Sequence, residues 1–248
     1  MKKLILILVA FLSIIHSCHK NEKTATPQKT DTLAKKNIDT TVTKNQETEQ
    51  LSGFPKTGKK ASDFVSNTYE IQYEAEGDLN NDGLSDRALV LREKADTLAD
   101  RTVLVILKNP DKTYRLDTTS DTVFPAEYTG DHYKIYDTED ISIEKGELNI
   151  NLYATGPNGN LFSKFKYINS DLILTYIETY NMGAGSHQGL YYEVLKGKLT
   201  QEVTNTMEEE MPSKSKTFNL KKQRFLFKNV DPETVIRDAY NKIDSKDW

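Results

Sequence analysis

Side chains bearing oxygen recur at Asp78, Asn80, Asp82 and Asp86 within Asp78-Leu79-Asn80-Asn81-Asp82-Gly83-Leu84-Ser85-Asp86. Counted from Asp78 they fall at positions 1, 3, 5 and 9 of a loop with Gly83 at position 6. That is the spacing by which a tightly curled backbone wraps a hard cation, and the carbonyl of Leu84 is placed to add another oxygen. Three neighbouring carboxylates repel one another unless a divalent ion neutralises them. The donor set points to Ca²⁺ rather than Mg²⁺, which prefers fewer protein ligands and more retained water. The plainer reading is a polar turn without metal, since Asn, Asp and Gly favour turns for their own reasons.

The surroundings of the loop are not those of an EF-hand, which needs a bidentate Glu at position 12 and a helix on each side. Position 12 here is Leu89, inside the apolar run Arg87-Ala88-Leu89-Val90-Leu91-Arg92, while Tyr69-Glu70-Ile71-Gln72-Tyr73 alternates with period two. Both read as strands, so the loop is expected to join an antiparallel pair.

Other chemistry finds little support. The segment Gly183-Ala184-Gly185-Ser186-His187-Gln188-Gly189 has neither the dinucleotide fingerprint nor a nucleophile elbow, and it reads as a flexible loop between strands. Downstream of the first twenty residues the only histidines are His132 and His187, too few for a three-histidine zinc site. Glu208-Glu209-Glu210 reads as a solvated loop ahead of Pro212. Thirteen tyrosines invite a sugar-binding reading, because Tyr joins a stacking ring to a polar tip, but strand packing explains them as well. No catalytic constellation is recognisable, and the chain is not expected to be an enzyme.

Most of the remaining sequence alternates as strands between turns. Val103–Leu107 is a short apolar run. Ile141–Glu144 and Leu148–Tyr153 flank Lys145-Gly146, Phe162–Tyr167 and Leu172–Tyr180 flank Asn169-Ser170-Asp171, and Tyr191–Leu195 and Leu199–Val203 flank Lys196-Gly197-Lys198. About ten strands follow from this pattern. A short helix is expected at Ser62–Ser66. A longer one runs from Pro232 to about Ile243, with Asp231 as N-cap and Val235, Ile236, Ala239, Tyr240 and Ile243 on one face, and is expected to cover a sheet face or edge. The fold class is mainly β, an antiparallel β-sandwich or curved meander sheet with a C-terminal helix.

The N-terminus supplies an address. Met1-Lys2-Lys3 precedes an apolar run from Leu4 to Ile15, too short to span a bilayer but suited to a signal segment. Ile15-His16-Ser17-Cys18 then resembles a bacterial lipobox. Cys18 is the only cysteine, so it forms no intramolecular disulfide and is read as the lipid attachment point. With no Asp after Cys18, an outer-membrane lipoprotein is favoured over one retained at the inner membrane. From His19 to Ser52 there is no aromatic residue, and the composition is that of a disordered tether with a reach of roughly 30 Å. The organisation expected is a signal segment over 1–17, lipidated Cys18 and tether over 18–53, a β-rich domain over 54–230 and a helix over 231–248. A net charge of −4 with no basic patch argues against a nucleic-acid partner.

Glu76-Gly77-Asp78-Leu79-Asn80-Asn81-Asp82-Gly83, followed by Asp86 and the strand Ala88-Leu89-Val90-Leu91, resembles the calcium-loop signature of FG-GAP/VCBS-type repeats. The order of features from Phe64 to Val230 resembles Bacteroidota-like lipoproteins that carry one such loop. A closed propeller needs several repeats, and only one Asp-rich loop is present. These readings converge on a lipid-anchored envelope protein with one structural Ca²⁺, held by Asp78, Asn80, Asp82, Leu84 and Asp86. Its expected role is binding or scaffolding, with the membrane as one partner through the anchor and a glycan or envelope protein as another. The alternative is a calcium-dependent envelope hydrolase acting on glycans or phosphoesters.

Overall fold

A computed structural model describes residues 53–155 and 159–243. The signal segment, Cys18 and nearly all of the tether expected from the sequence lie outside the described residues. Among those described, no helix is long and apolar enough to cross a membrane.

Two antiparallel sheets make up the domain. The first contains β1 (Thr57–Gly58), β2 (Tyr69–Gly77), β3 (Asp86–Glu93), β4 (Thr102–Lys108) and β5 (Tyr114–Ser120), in the order β1-β5-β4-β3-β2. The second contains β6 (Thr138–Glu144), β7 (Glu147–Tyr153), β8 (Asn160–Ile168), β9 (Asp171–Gly183), β10 (Ser186–Glu193), β11 (Lys198–Asn205) and β12 (Ser213–Asn219). Every strand of this sheet pairs with its neighbour in sequence, so it is a plain meander with β12 at one edge. The helix α1 spans Pro232–Tyr240.

Burial explains why the two sheets read differently in sequence. In the second sheet, Ile141 and Ile143 of β6, and Leu148, Ile150 and Leu152 of β7, point inward while their polar neighbours point out. In the first sheet, β3 and β4 are buried on both faces, which gives uninterrupted apolar runs instead of alternation. Val90, Val103 and Val105 face the core shared with the second sheet. Leu89, Leu91, Leu104 and Ile106 face a second core closed by Ala61, Phe64 and Tyr114. That second core was not foreseen, because its cover is supplied by the segment leading into the first sheet.

The tight turns fell where expected. Lys145 and Gly146 take φ of 52° and 73° between the paired Glu144 and Glu147, and Asn169 and Ser170 take 52° and 68° between Ile168 and Asp171. Both are two-residue hairpins with the left-handed backbone that matches strand twist. The short helix is a 3-10 turn at Ala61–Phe64. The strand expected to reach Leu195 stops at Glu193, because a 3-10 turn over Val194–Lys196 and a left-handed Gly197 carry the chain round.

Asp231 caps α1 as expected, its carboxylate accepting from the Glu233 amide at 3.0 Å and from the Thr234 hydroxyl at 2.6 Å. The helix ends at Tyr240 rather than Ile243. Its last turn tightens, with Lys242 N donating to Ala239 O and Ile243 N to Tyr240 O. Val235, Ile236 and Ala239 join the main core, so α1 covers inner-face area of the second sheet.

Candidate functional site

The loop between β2 and β3 is curled by its own side chains. Asp78 Oδ1 accepts from Asp82 N at 3.0 Å and Asp78 Oδ2 from Gly83 N at 2.9 Å, which folds the far side of the loop back on its start. Asn80 Oδ1 accepts from Asp82 N at 3.0 Å, and Asp82 Oδ1 from Leu84 N at 2.8 Å. Gly83 at φ 83° and Asn81 at φ 60° supply the left-handed backbone this curl requires. A carboxylate offers about four lone-pair sites, so Asp78 keeps acceptor capacity after its two amide bonds. Its donor chemistry is therefore compatible with a hard cation.

Asp86 stands apart from the others. It is 0% exposed. Its Oδ2 accepts from Leu79 N at 3.0 Å and Asn80 N at 3.3 Å, and its Oδ1 from Lys108 N at 2.9 Å. The carboxylate thus locks the start of the loop to the end of β4. Burial pushes its carboxyl above the ordinary value, against the pull of the amides of Lys108, Leu79 and Asn80, and Asp82 adds to the push. Among the described residues, no three acidic, histidine or cysteine side chains gather into a metal-holding group.

The loop is seated between the sheets. Leu79 is buried in the main core. Gly77 lies so close to β6 that a Cβ there would come 2.6 Å from the Ile143 carbonyl oxygen. Asn81 lies over the β6–β7 turn, where a Cβ on Gly146 would meet its side-chain amide at 2.6 Å. Nearby acids are already engaged. Glu74 and Glu76 both pair with Arg87, the latter at 2.7 Å, and Glu76 also accepts from Ser85 Oγ at 2.8 Å. Of the cavities described below, none is lined by Asp78, Asp82 or Asp86.

The segment 183–189 is not the flexible loop expected. β9 continues through Gly183 and β10 begins at Ser186, leaving only Ala184 and Gly185 as a two-residue turn. Gly189 sits within β10 because Tyr191 occupies the space over it, with its hydroxyl 2.9 Å from where a Cβ would be. His187 Nδ1 lies 2.8 Å from Tyr180 Oη on the adjacent strand. Glu208–Glu210 occupy the exposed turn region between β11 and β12.

Sequence reasoning missed a buried ionic cluster. Arg101, 1% exposed, makes a two-pronged contact to Glu139, through Nη1 to Oε2 and Nη2 to Oε1, both at 2.7 Å. Arg101 Nε donates to the Pro125 carbonyl at 2.8 Å and Nη1 also to Gln72 Oε1 at 2.9 Å. Its guanidinium stacks over the Phe124 ring, 4.4 Å from the centroid. Tyr73 Oη donates to Glu139 at 3.0 Å, and burial, with Glu139 beside it, pushes the Tyr73 phenol up to about 12. The cluster extends to Glu127, which accepts from Gln72 Nε2 at 2.9 Å and from Arg92 Nη1 at 2.5 Å. A signal was present: Glu139 falls in phase with inward-facing Ile141 and Ile143. Nothing in the neighbourhood of Arg101 marks it as the partner.

The largest described cavity, about 470 Å³, lies between α1, the inner face of β8–β10 and the connection before β6. Two smaller ones, of about 220 and 280 Å³, flank Leu226–Lys228 and the underside of α1. Comparisons of the chain with protein-family models, curated proteins and solved structures find no match.

Proposed function

We propose that this chain is a lipid-anchored cell-envelope protein, a binding or scaffolding module whose loop from Asp78 to Asp86 holds a structural Ca²⁺. The observation that carries the calcium reading is the loop's own curl. The Asp78 carboxylate accepts from the amides of Asp82 and Gly83, which brings the start and the far side of the donor sequence together. Asp78, Asn80 and Asp82 would supply side-chain oxygens, Leu84 a carbonyl, and Asp86 whatever capacity its three amide bonds leave. Bound there, the ion would neutralise the clustered charge and stiffen the junction made by Leu79, Gly77 and Asn81. A structural role is supported by the loop's seat between the sheets, away from the described cavities. The hydrolase alternative draws less support, because Glu74 and Glu76 are committed to Arg87. Anchoring rests on the lipobox-like run ending at Cys18, and the resemblance to single-loop bacterial lipoproteins points the same way.

An ion that binds only the folded state adds RT ln(1 + [L]/Kd), about 2.7 kcal/mol at a hundredfold excess over Kd. Chelation is therefore expected to lower the melting temperature, and Ca²⁺ to restore it better than Mg²⁺. Asp82→Ala should remove that response without unfolding the domain, since Asp82 is exposed and outside both cores. A melting curve indifferent to Ca²⁺ at millimolar concentrations would leave the loop an ordinary polar turn.

A further inference from the structure

The largest described cavity falls within the range of roughly 300–1,000 Å³ typical of small-molecule sites. Its floor is a row on the inner face of the second sheet, Leu161, Thr179 and Leu190, aligned across β8, β9 and β10. One step further along the same face, Asn181 pairs with Gln188 and both line the cavity. The opposite wall is α1, through Ile236 and Tyr240. The third side comes from residues 121–137, the connection between β5 and β6, which contributes Thr129 and Tyr136. Connections of that length with little regular structure in a compact domain commonly serve binding.

Thr179, which lines this cavity, carries one atom that lacks what protein interiors normally provide. Thr179 is 8% exposed, and its buried hydroxyl has no hydrogen-bond partner within the protein. A buried hydroxyl left unsatisfied costs free energy, and such groups are few in native structures. Around it the cavity is rich in groups that both donate and accept. Gln188 Nε2 lies a long 3.4 Å from Tyr240 Oη, so both hold capacity in reserve. Burial, with Glu233, Asp231 and Glu139 nearby, pushes the Tyr136 phenol up to about 12, so at neutral pH it remains a donor. At the rim, Glu233 and Arg237 face each other at 3.6 Å and offset each other's charge.

We infer that this cavity binds a single uncharged sugar residue, free or at the end of a glycan. Sugar hydroxyls donate and accept at once, as the hydroxyl and amide lining requires. The apolar face of the sugar ring matches Leu161 and Leu190, with the Tyr240 ring at the mouth as a stacking surface. A phosphate or carboxylate ligand would meet Glu233 beside an already paired Arg237. A purely apolar ligand would leave Thr179, Asn181 and Gln188 unsatisfied. The inference deepens the binding-module reading and rests on it, but not on the calcium loop, whose residues do not line the cavity.

Saturation-transfer NMR on the full chain, with free glucose, galactose and N-acetylglucosamine at millimolar concentrations as probes, tests it. At least one sugar should receive saturation. Thr179→Val should weaken its binding about tenfold, the effect of one lost hydrogen bond, while leaving the melting temperature unchanged or raised, because an unsatisfied hydroxyl has gone. Tyr240→Ala, at the exposed mouth, should weaken binding with the fold intact. No transfer to any of the three sugars overturns the inference, as does transfer undiminished in both variants. So does a fluorescent fatty-acid analogue that binds the cavity and is not displaced by the sugars. The two readings separate cleanly: Asp82→Ala should lose the calcium response and keep the sugar signal. A wild-type chain indifferent to Ca²⁺ that still shows the sugar signal sinks the metal site alone, whereas a wild-type chain that responds to Ca²⁺ and shows no sugar signal sinks the cavity assignment alone.

Discussion

Arg101 and Glu139 show how much depends on a pair of side chains taken out of water together. Burying two opposite charges is close to neutral when their geometry is good, but removing one partner leaves an uncompensated charge. Arg101→Met should therefore cost about 3–5 kcal/mol, read as a shift in the denaturation midpoint, and adding Glu139→Met should recover most of it. A single variant as stable as the wild type would mean the pair contributes little. Glu127, further along the same cluster, gives a pH signature. Burial pushes its carboxyl up, but the Arg92 guanidinium, Gln72 and Arg101 outweigh that and hold it below the ordinary 4.5. A carboxyl depressed in the folded state contributes stability above its unfolded pKa and loses it as pH falls through the folded value. Melting temperature should fall as pH drops below that ordinary value, and less steeply in Glu127→Gln. Identical acid slopes would remove Glu127 from the account.

At the scale of elements, the parts legible in sequence are those fixed by neighbours in the chain. Lys145-Gly146 and Asn169-Ser170 declare their hairpins because the left-handed turn and the flanking alternation sit within a few residues. β1 was not foreseen, since its two residues pair with Tyr114 and Arg115, far along the chain. Gly189 misled for the same reason: its place in a strand depends on Tyr191 lying over it. The candidate loop divides along this line too. Its curl is local and readable, whereas the burial of Asp86 depends on the Lys108 amide at the end of another strand. The Thr179 cavity was invisible, because its far wall is a helix more than fifty residues later. The close approach of Gly77 to Ile143 also has an energetic consequence. Gly77→Ala places a methyl against a carbonyl oxygen and the Ile143 side chain, so the loop base and β6 must part, at a cost of about 1–3 kcal/mol. A melting temperature equal to wild type would show that the junction yields freely.

On the scale of the whole molecule, anchoring is tested most directly through Cys18, the only cysteine. Expressed in a bacterial host that processes lipoproteins, Cys18→Ser should lose labelling by a clickable fatty-acid analogue and leave the membrane fraction. Equal labelling of both forms would end the lipoprotein reading. Proteins tethered to one surface meet their own copies at high local density, which bears on the second sheet. Its outermost strand, β12, has one backbone edge that pairs with no strand among the described residues, and a second copy could extend it. The strand runs Ser213-Lys214-Ser215-Lys216-Thr217-Phe218-Asn219, largely exposed, with Lys216 and Phe218 half-buried. Two such edges laid side by side would bring Lys214 ammonium groups together and bury little apolar surface beyond Phe218. Anchored as proposed and crowded on a membrane, these molecules would resist growing into a continuous intermolecular sheet.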